Sequence, residues 1–200
     1  MALDVFFSSV DCKKYKSPLD KFTRLLESCG ADNKFDKGEL IAIKAHFGEL
    51  GNTAYIRPIY LRPVIEKLKS MGCKPYLTDT NTLYIGMRGN SVDHLYNATV
   101  NGFNYSTLQV PVIIADGLRG ENVKEIEVNL PLCKKVKLAS DIINSDGMIC
   151  VSHFKAHEVS GFGGAIKNLS MGCAARQGKL DMHSNTRPSV ERKRDRKSVV

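Results

Sequence analysis

Two hundred residues, 42% hydrophobic and 25% charged, have the composition of an ordinary globular chain with room for one sizeable core. The formal net charge is +8, yet half of that excess sits in residues 187–200, where six basic side chains face two acids. Such a polar tail, Glu191-Arg-Lys-Arg-Asp-Arg-Lys197, lacks aromatic interleaving and reads as a solvated end; the mildly basic remainder suits a small anionic ligand better than nucleic acid.

Leu3–Phe7 has the pattern of a first strand. Ser17-Pro18 then supplies a cap and a first helical residue, and Leu19, Phe22, Leu25, Leu26 and Cys29 recur at helical spacing up to Gly30. A second strand is expected over Glu39–Ala45, followed by the polar loop His46–Thr53. The next helix runs from Pro58 to Met71, burying Ile59, Val64, Ile65 and Leu68, and stops at Gly72. Lys74–Thr78 is the third strand, with Asp79 to Tyr84 at its carboxyl end. Ser91–Asn101 is helical and ends at Gly102. Val110–Ile114 and the alternating Val123–Val128 are strand-like. Met148–Val151 is short and wholly apolar, as the middle of a parallel sheet requires.

This alternation predicts an α/β fold: a single domain over residues 1–186 with an open, mostly parallel sheet and helices on both faces, then the basic tail 187–200. No apolar run approaches the ~20 residues of a bilayer span, and no cationic leader opens the chain, so a cytoplasmic protein is expected. Six scattered cysteines, with no Cys-x-x-Cys, speak against a zinc site, a cluster loop or a disulfide framework. Cys73 and Cys150 read as small core residues, and Cys173 alone invites a functional role.

The densest chemistry lies in Val151–Gly172. His153, His157, Lys167 and Asn168 surround the glycines Gly161, Gly163 and Gly164, directly after a strand and ahead of a short helix. Glycine-exposed amides and a helix N-terminus can face an anion there, while imidazoles and an amine can move protons, ligate metal or anchor a ligand. Neither the phosphate-loop nor the dinucleotide glycine pattern is met, because Ile166 stands where each needs another residue. Plainer roles stand beside these: a histidine can merely hydrogen-bond a loop, Lys167 can be solvated, and Asp79 can cap a turn. If the strands are parallel, His46, Asp79, Asn81, Arg88, His153, His157 and Lys167 share the carboxyl edge of one sheet.

Three motifs carry a resemblance: Lys44-Ala-His-Phe-Gly-Glu-x-Gly-Asn-Thr53, Thr78-Asp-Thr-Asn-Thr-Leu-Tyr84, and His153-Phe-Lys-x-His157 leading to Gly163-Gly-Ala-Ile-Lys-Asn-Leu-x-Met-Gly172. On these the chain resembles the domain of unknown function DUF362 from Ile41 to Asn185. The resemblance implies a frequent fusion to a ferredoxin-like module with two four-iron clusters. Here Thr186-Arg-Pro-Ser-Val190 leads instead into a tail without cysteine, as a premature end or altered reading frame would produce, so those clusters are not expected on this polypeptide.

A narrower similarity, His157, Gly161-Phe-Gly-Gly164, Lys167 and Gly172, is to the nickel-pincer lactate racemases. It implies a lysine anchor for a metal–nucleotide cofactor at Lys167, a proton-transfer histidine at His157, and His183 as a metal ligand. Together these readings make His46, His157 and Lys167 the candidate catalytic residues. Asn81, Gly161, Gly163, Gly164 and Asn168 are candidates for ligand or cofactor binding, and His153 and His183 for metal. Two functions remain open: an enzyme-like domain holding an anionic, phosphate-bearing or metal–nucleotide ligand, or a non-catalytic module that docks an iron–sulfur partner.

Overall fold

The computed structural model describes residues 4–184, except Val10, Lys13, Tyr15, Lys16, Leu132 and residues 158–160. The basic tail expected over 187–200 lies outside the described residues. Helix α1 (Pro18–Ser28) starts where its cap predicts: the Ser17 hydroxyl accepts the Asp20 N–H at 3.1 Å, and Gly30 turns the chain in the left-handed region at φ 70°. Among the described residues no strand precedes it, for residues 4–9 carry no regular structure. The apolar run Val5-Phe6-Phe7 is largely exposed and among the described residues no strand pairs with it, so the expected first strand is not found over residues 4–7; Leu3 lies outside the described residues.

β1 (Leu40–Lys44) is followed by a 3-10 turn at Pro58–Leu61 and then by α2 (Arg62–Ser70). Pro63 at the start of α2 costs nothing there, because first-turn N–H groups have no intrahelical acceptor. Val64, Ile65 and Leu68 are buried as expected, but Ile59 is half-exposed, because the tighter 3-10 turn rotates it away from the helical stripe. β2 (Lys74–Asp79), α3 (Ser91–Val100), the single turn α4 (Tyr105–Leu108) and β3 (Val112–Ile114) complete the first half.

Next comes a two-stranded antiparallel ribbon, β4 (Val123–Leu130) and β5 (Cys133–Ala139), then the short α5 (Ser140–Ile143) and β6 (Gly147–Cys150). A small hairpin, β7 (Lys155–His157) with β8 (Gly161–Gly163), leads into α6 (Ala165–Cys173) and α7 (Arg176–Ser184).

The main sheet has the order β3-β2-β1-β6, with every pair parallel. Helices cover both of its faces. Ile41, Ile43 and Ala45 point into the larger core with Val64, Ile65 and Leu68 of α2, whereas Lys44 points to the other face and meets α6. Tyr76 also faces that side, donating to the Asp141 carbonyl of α5 at 3.0 Å. The α/β reading therefore holds, with one correction. β6 pairs only with β1 and forms an edge, and all four of its residues are half-buried. Its apolar character comes from contact with α6 on one face, where Met148 packs on a second small core with Cys173 and Ile142.

Candidate functional site

Parallel strands deliver their carboxyl ends to one edge, and the loops after β1, β2 and β6 open there onto a crevice of about 240 Å³. Its floor is ionic. Lys44, the last residue of β1, is fully buried; its ammonium lies 2.9 Å from Asp79 Oδ1 and donates to Asn168 Oδ1 at 2.6 Å. Gly172 on α6 makes room for it, since a Cβ there would sit 2.7 Å from Lys44 Nζ. Asp79 ends β2 and also lies 3.4 Å from Arg88 Nη1 and 3.6 Å from His94 Nε2. Burial alone would raise the Asp79 carboxyl, but Lys44, His94 and Arg88 outweigh it and hold it well below the usual range.

Arg88 bridges to the loop after β1. Its Nε donates to Glu49 Oε1 at 2.8 Å, and its Nη2 contacts both Glu49 and the Tyr84 hydroxyl, which itself donates to Glu49 at 2.7 Å. Burial opposes ionisation of Glu49, yet hydrogen bonds and charge from Arg88 pull its carboxyl down. The four floor charges thus cancel: Lys44 against Asp79, Arg88 against Glu49.

His46 lies two residues beyond the end of β1. Its Nδ1 accepts the Gly48 N–H at 2.9 Å, so the neutral ring carries its proton on Nε2. Burial, reinforced by the nearby charge of Arg88, lowers its pKa to about 3. At neutral pH this histidine is therefore a hydrogen-bond donor, with neither ring nitrogen free to accept a proton.

His157 and Lys167 sit at the mouth, one on the hairpin and one in the first turn of α6. Their Nε2 and Nζ atoms are in hydrogen-bond contact. Burial and the adjacent Lys155 both lower the Lys167 amine. Lys179 of α7 also lines the crevice, donating to Asn81 O at 2.7 Å, to Ala174 O at 2.8 Å and to the Thr80 hydroxyl; burial brings its pKa down to about 8.

The crevice brings His46, Asp79, Arg88, His153, His157, Lys167, Asn168, Gly163, Gly164 and His183 together. Asn81 and Gly161 stand apart from it. Asn81 is fully buried and works as a strut, donating from Nδ2 to Asp116 Oδ1 at 3.0 Å and to Gly117 O at 2.9 Å. Gly161 lies in β8 with nothing within 4 Å of where a Cβ would be. His153 and His183 line the wall, but among the described residues no group of three or more His, Cys, Asp or Glu side chains is arranged for a metal ion. Cys173 is buried at 5% exposure and its thiol is pushed up by burial, as for a small core residue.

From the sequence, Lys44, Glu49, Tyr84 and Lys155 stand inside the quoted motifs without a site role, and Lys179 is not singled out at all. Lys44 did leave a signal, a cation closing the run Leu40-Ile-Ala-Ile. Lys179 left none, because α7 has no apolar stripe to show which face is buried.

Among the described residues no helix is long and apolar enough to cross a membrane. No curated protein and no solved structure matches the chain. The family described as "Domain of unknown function (DUF362)" matches residues 41–194, a span that opens in β1 and takes in every residue lining the crevice. The chain belongs to the DUF362 family.

Proposed function

We propose that this is an enzyme-like domain that holds a small anionic ligand in the crevice and moves a proton to or from it through the His157–Lys167 pair. The contact between Lys167 Nζ and His157 Nε2 carries the reading. Whichever nitrogen is unprotonated accepts a ligand proton, and the other can return one, so the pair serves as base and acid in turn. His46, neutral and presenting Nε2–H, would polarise a ligand oxygen without exchanging a proton of its own. A metal or metal–nucleotide ligand would meet His153 and His183 on the same wall.

The test uses native mass spectrometry with metal analysis on protein from its own host, compared with Lys167→Ala and Lys167→Arg. Lys167→Ala should lose retained ligand while its unfolding midpoint changes little, because the side chain fills no core. Lys167→Arg should keep the ligand but lose proton transfer, since guanidinium does not give up its proton near neutral pH. Unchanged retention in Lys167→Ala would remove the enzyme reading.

A second reading then takes its place. The outer face of the β7–β8 hairpin presents Phe154 and Phe162 to solvent, 73% and 61% exposed, with ring centroids 5.5 Å apart. Ala156 pairs with Phe162 on that face, while Lys155 and His157 turn toward the crevice. An exposed aromatic pair of this kind favours a docking module, for which an iron–sulfur protein is the candidate partner.

A further inference from the structure

We propose that the crevice is built for a dianionic phosphoryl group, carried by a small phosphate monoester rather than by a carboxylic acid. This rests on the anion-binding reading above and specifies its ligand. Three separate observations point the same way.

The first is the balance of charge. Among the described residues five cationic and two anionic side chains line the crevice, and both anions are already paired on the floor. Lys155, Lys167 and Lys179 remain without a carboxylate partner among the described residues. A monoanion would leave most of that excess uncompensated, whereas a dianion offsets the larger part of it.

The second is the hydrogen-bonding sense of the lining. Lys155 and His46 Nε2–H offer only donors, Lys179 already spends its donors on Thr80, Asn81 and Ala174, and Glu49 and Asp79 spend acceptor oxygens on Arg88, Tyr84 and Lys44. A ligand group made only of acceptor oxygens fits such a surface, and a phosphate monoester offers three of them in a tetrahedral array.

The third is an unmet polar atom. Thr82 lines the crevice at 5% exposure, and its hydroxyl has no hydrogen-bond partner among the described residues. Leaving such a hydroxyl unpaired costs free energy, which a ligand oxygen within its reach would recover. Gly163 and Gly164 reinforce the site by placing the N-terminus of the nine-residue α6 on the same wall with no side chain to cap it.

The test is calorimetric titration of the full chain with glycerol phosphate, sulfate, dimethyl phosphate and malonate at pH 5 and pH 7. A monoester gains its second charge near pH ~6, whereas sulfate is a dianion throughout and corrects for titration of the protein. The affinity for glycerol phosphate relative to sulfate should therefore rise about tenfold from pH 5 to pH 7. Dimethyl phosphate should bind at least about tenfold more weakly than glycerol phosphate at pH 7. Lys155→Ala and Thr82→Val should each weaken glycerol phosphate about five- to tenfold, with circular dichroism confirming that both variants are folded. A flat ratio, or malonate binding as tightly as glycerol phosphate, overturns the phosphoryl assignment and leaves anion binding standing. Failure of every anion to bind the unmodified chain overturns both.

Discussion

His46 shows how much one hydrogen bond decides. Because Gly48 N–H occupies Nδ1 and burial disfavours the imidazolium, protonation requires both a lost bond and a charge set beside Arg88. The folded-state pKa of about 3 lies below the ordinary 6.5, so the folded form binds fewer protons than the unfolded one across that interval. Its stabilising effect is complete above pH ~6.5 and drains away as the pH falls toward ~3, on the order of 2–4 kcal/mol once its solvent-facing edge is allowed for. Urea midpoints measured from pH 7 to pH 4 should fall more gently in His46→Gln than in the unmodified chain. Parallel slopes would mean that His46 is not held neutral. The adjoining floor depends on a missing side chain: at Gly172 even a methyl group would meet the Lys44 ammonium.

Among the elements, α7 is fastened by close approach to backbone. A Cβ on Gly178 would lie 2.2 Å from the Lys137 carbonyl oxygen of β5. The same contact region holds Ala175 N–H bonded to that oxygen at 3.1 Å and a Lys137–Asp181 ion pair at 2.9 Å. Gly178→Ala should therefore push the helix off the ribbon and cost about 1–3 kcal/mol, read as a lower urea midpoint. Because α7 carries Lys179 into the crevice, ligand retention should fall in the same variant. β5 is a strand that the sequence analysis does not foresee, although Lys135, Val136, Lys137 and Leu138 alternate as a half-exposed strand does. That pattern names a strand but not its partner. Its pairing with β4 as a ribbon outside the main sheet follows from the register, which runs from Val123 opposite Ala139.

For the molecule as a whole, the sheet's carboxyl edge is organised around one anion. Asp79 faces Lys44, Arg88 and His94, each supplied by a different segment of the chain. Asp79→Asn would leave the buried Lys44 ammonium without its counter-charge, while Arg88 keeps Glu49, and a loss of about 3–5 kcal/mol is expected. Differential scanning calorimetry should show a large drop in the unfolding temperature. A change no larger than that of an exposed Asp→Asn control would mean that the network is not what joins the strand ends.

Much of the fold was legible because its signals are local. The Ser17 cap, the stop at Gly72, and the apolar runs of β1 and β2 each rest on a few neighbouring residues. The gathering of His46, Asp79, His157 and Lys167 at one edge follows from parallel strands alone, once loops are known to leave their carboxyl ends. Other features needed the third dimension. Apolarity cannot tell a central strand from an edge strand covered by a helix, so β6 reads as the middle of the sheet although its pairing puts it at the edge. An exposed apolar run such as Val5-Phe6-Phe7 reads like a strand until no partner is found beside it. Nor can residue type show that the Nδ1 of His46 is spent on a backbone amide, that Asn81 is a strut, or that Lys179 reaches the crevice from α7. The sequence by itself determined which groups could do chemistry and which edge would collect them. Only the tertiary structure decided their protonation and partners, because those depend on burial and on charges brought together from distant parts of the chain.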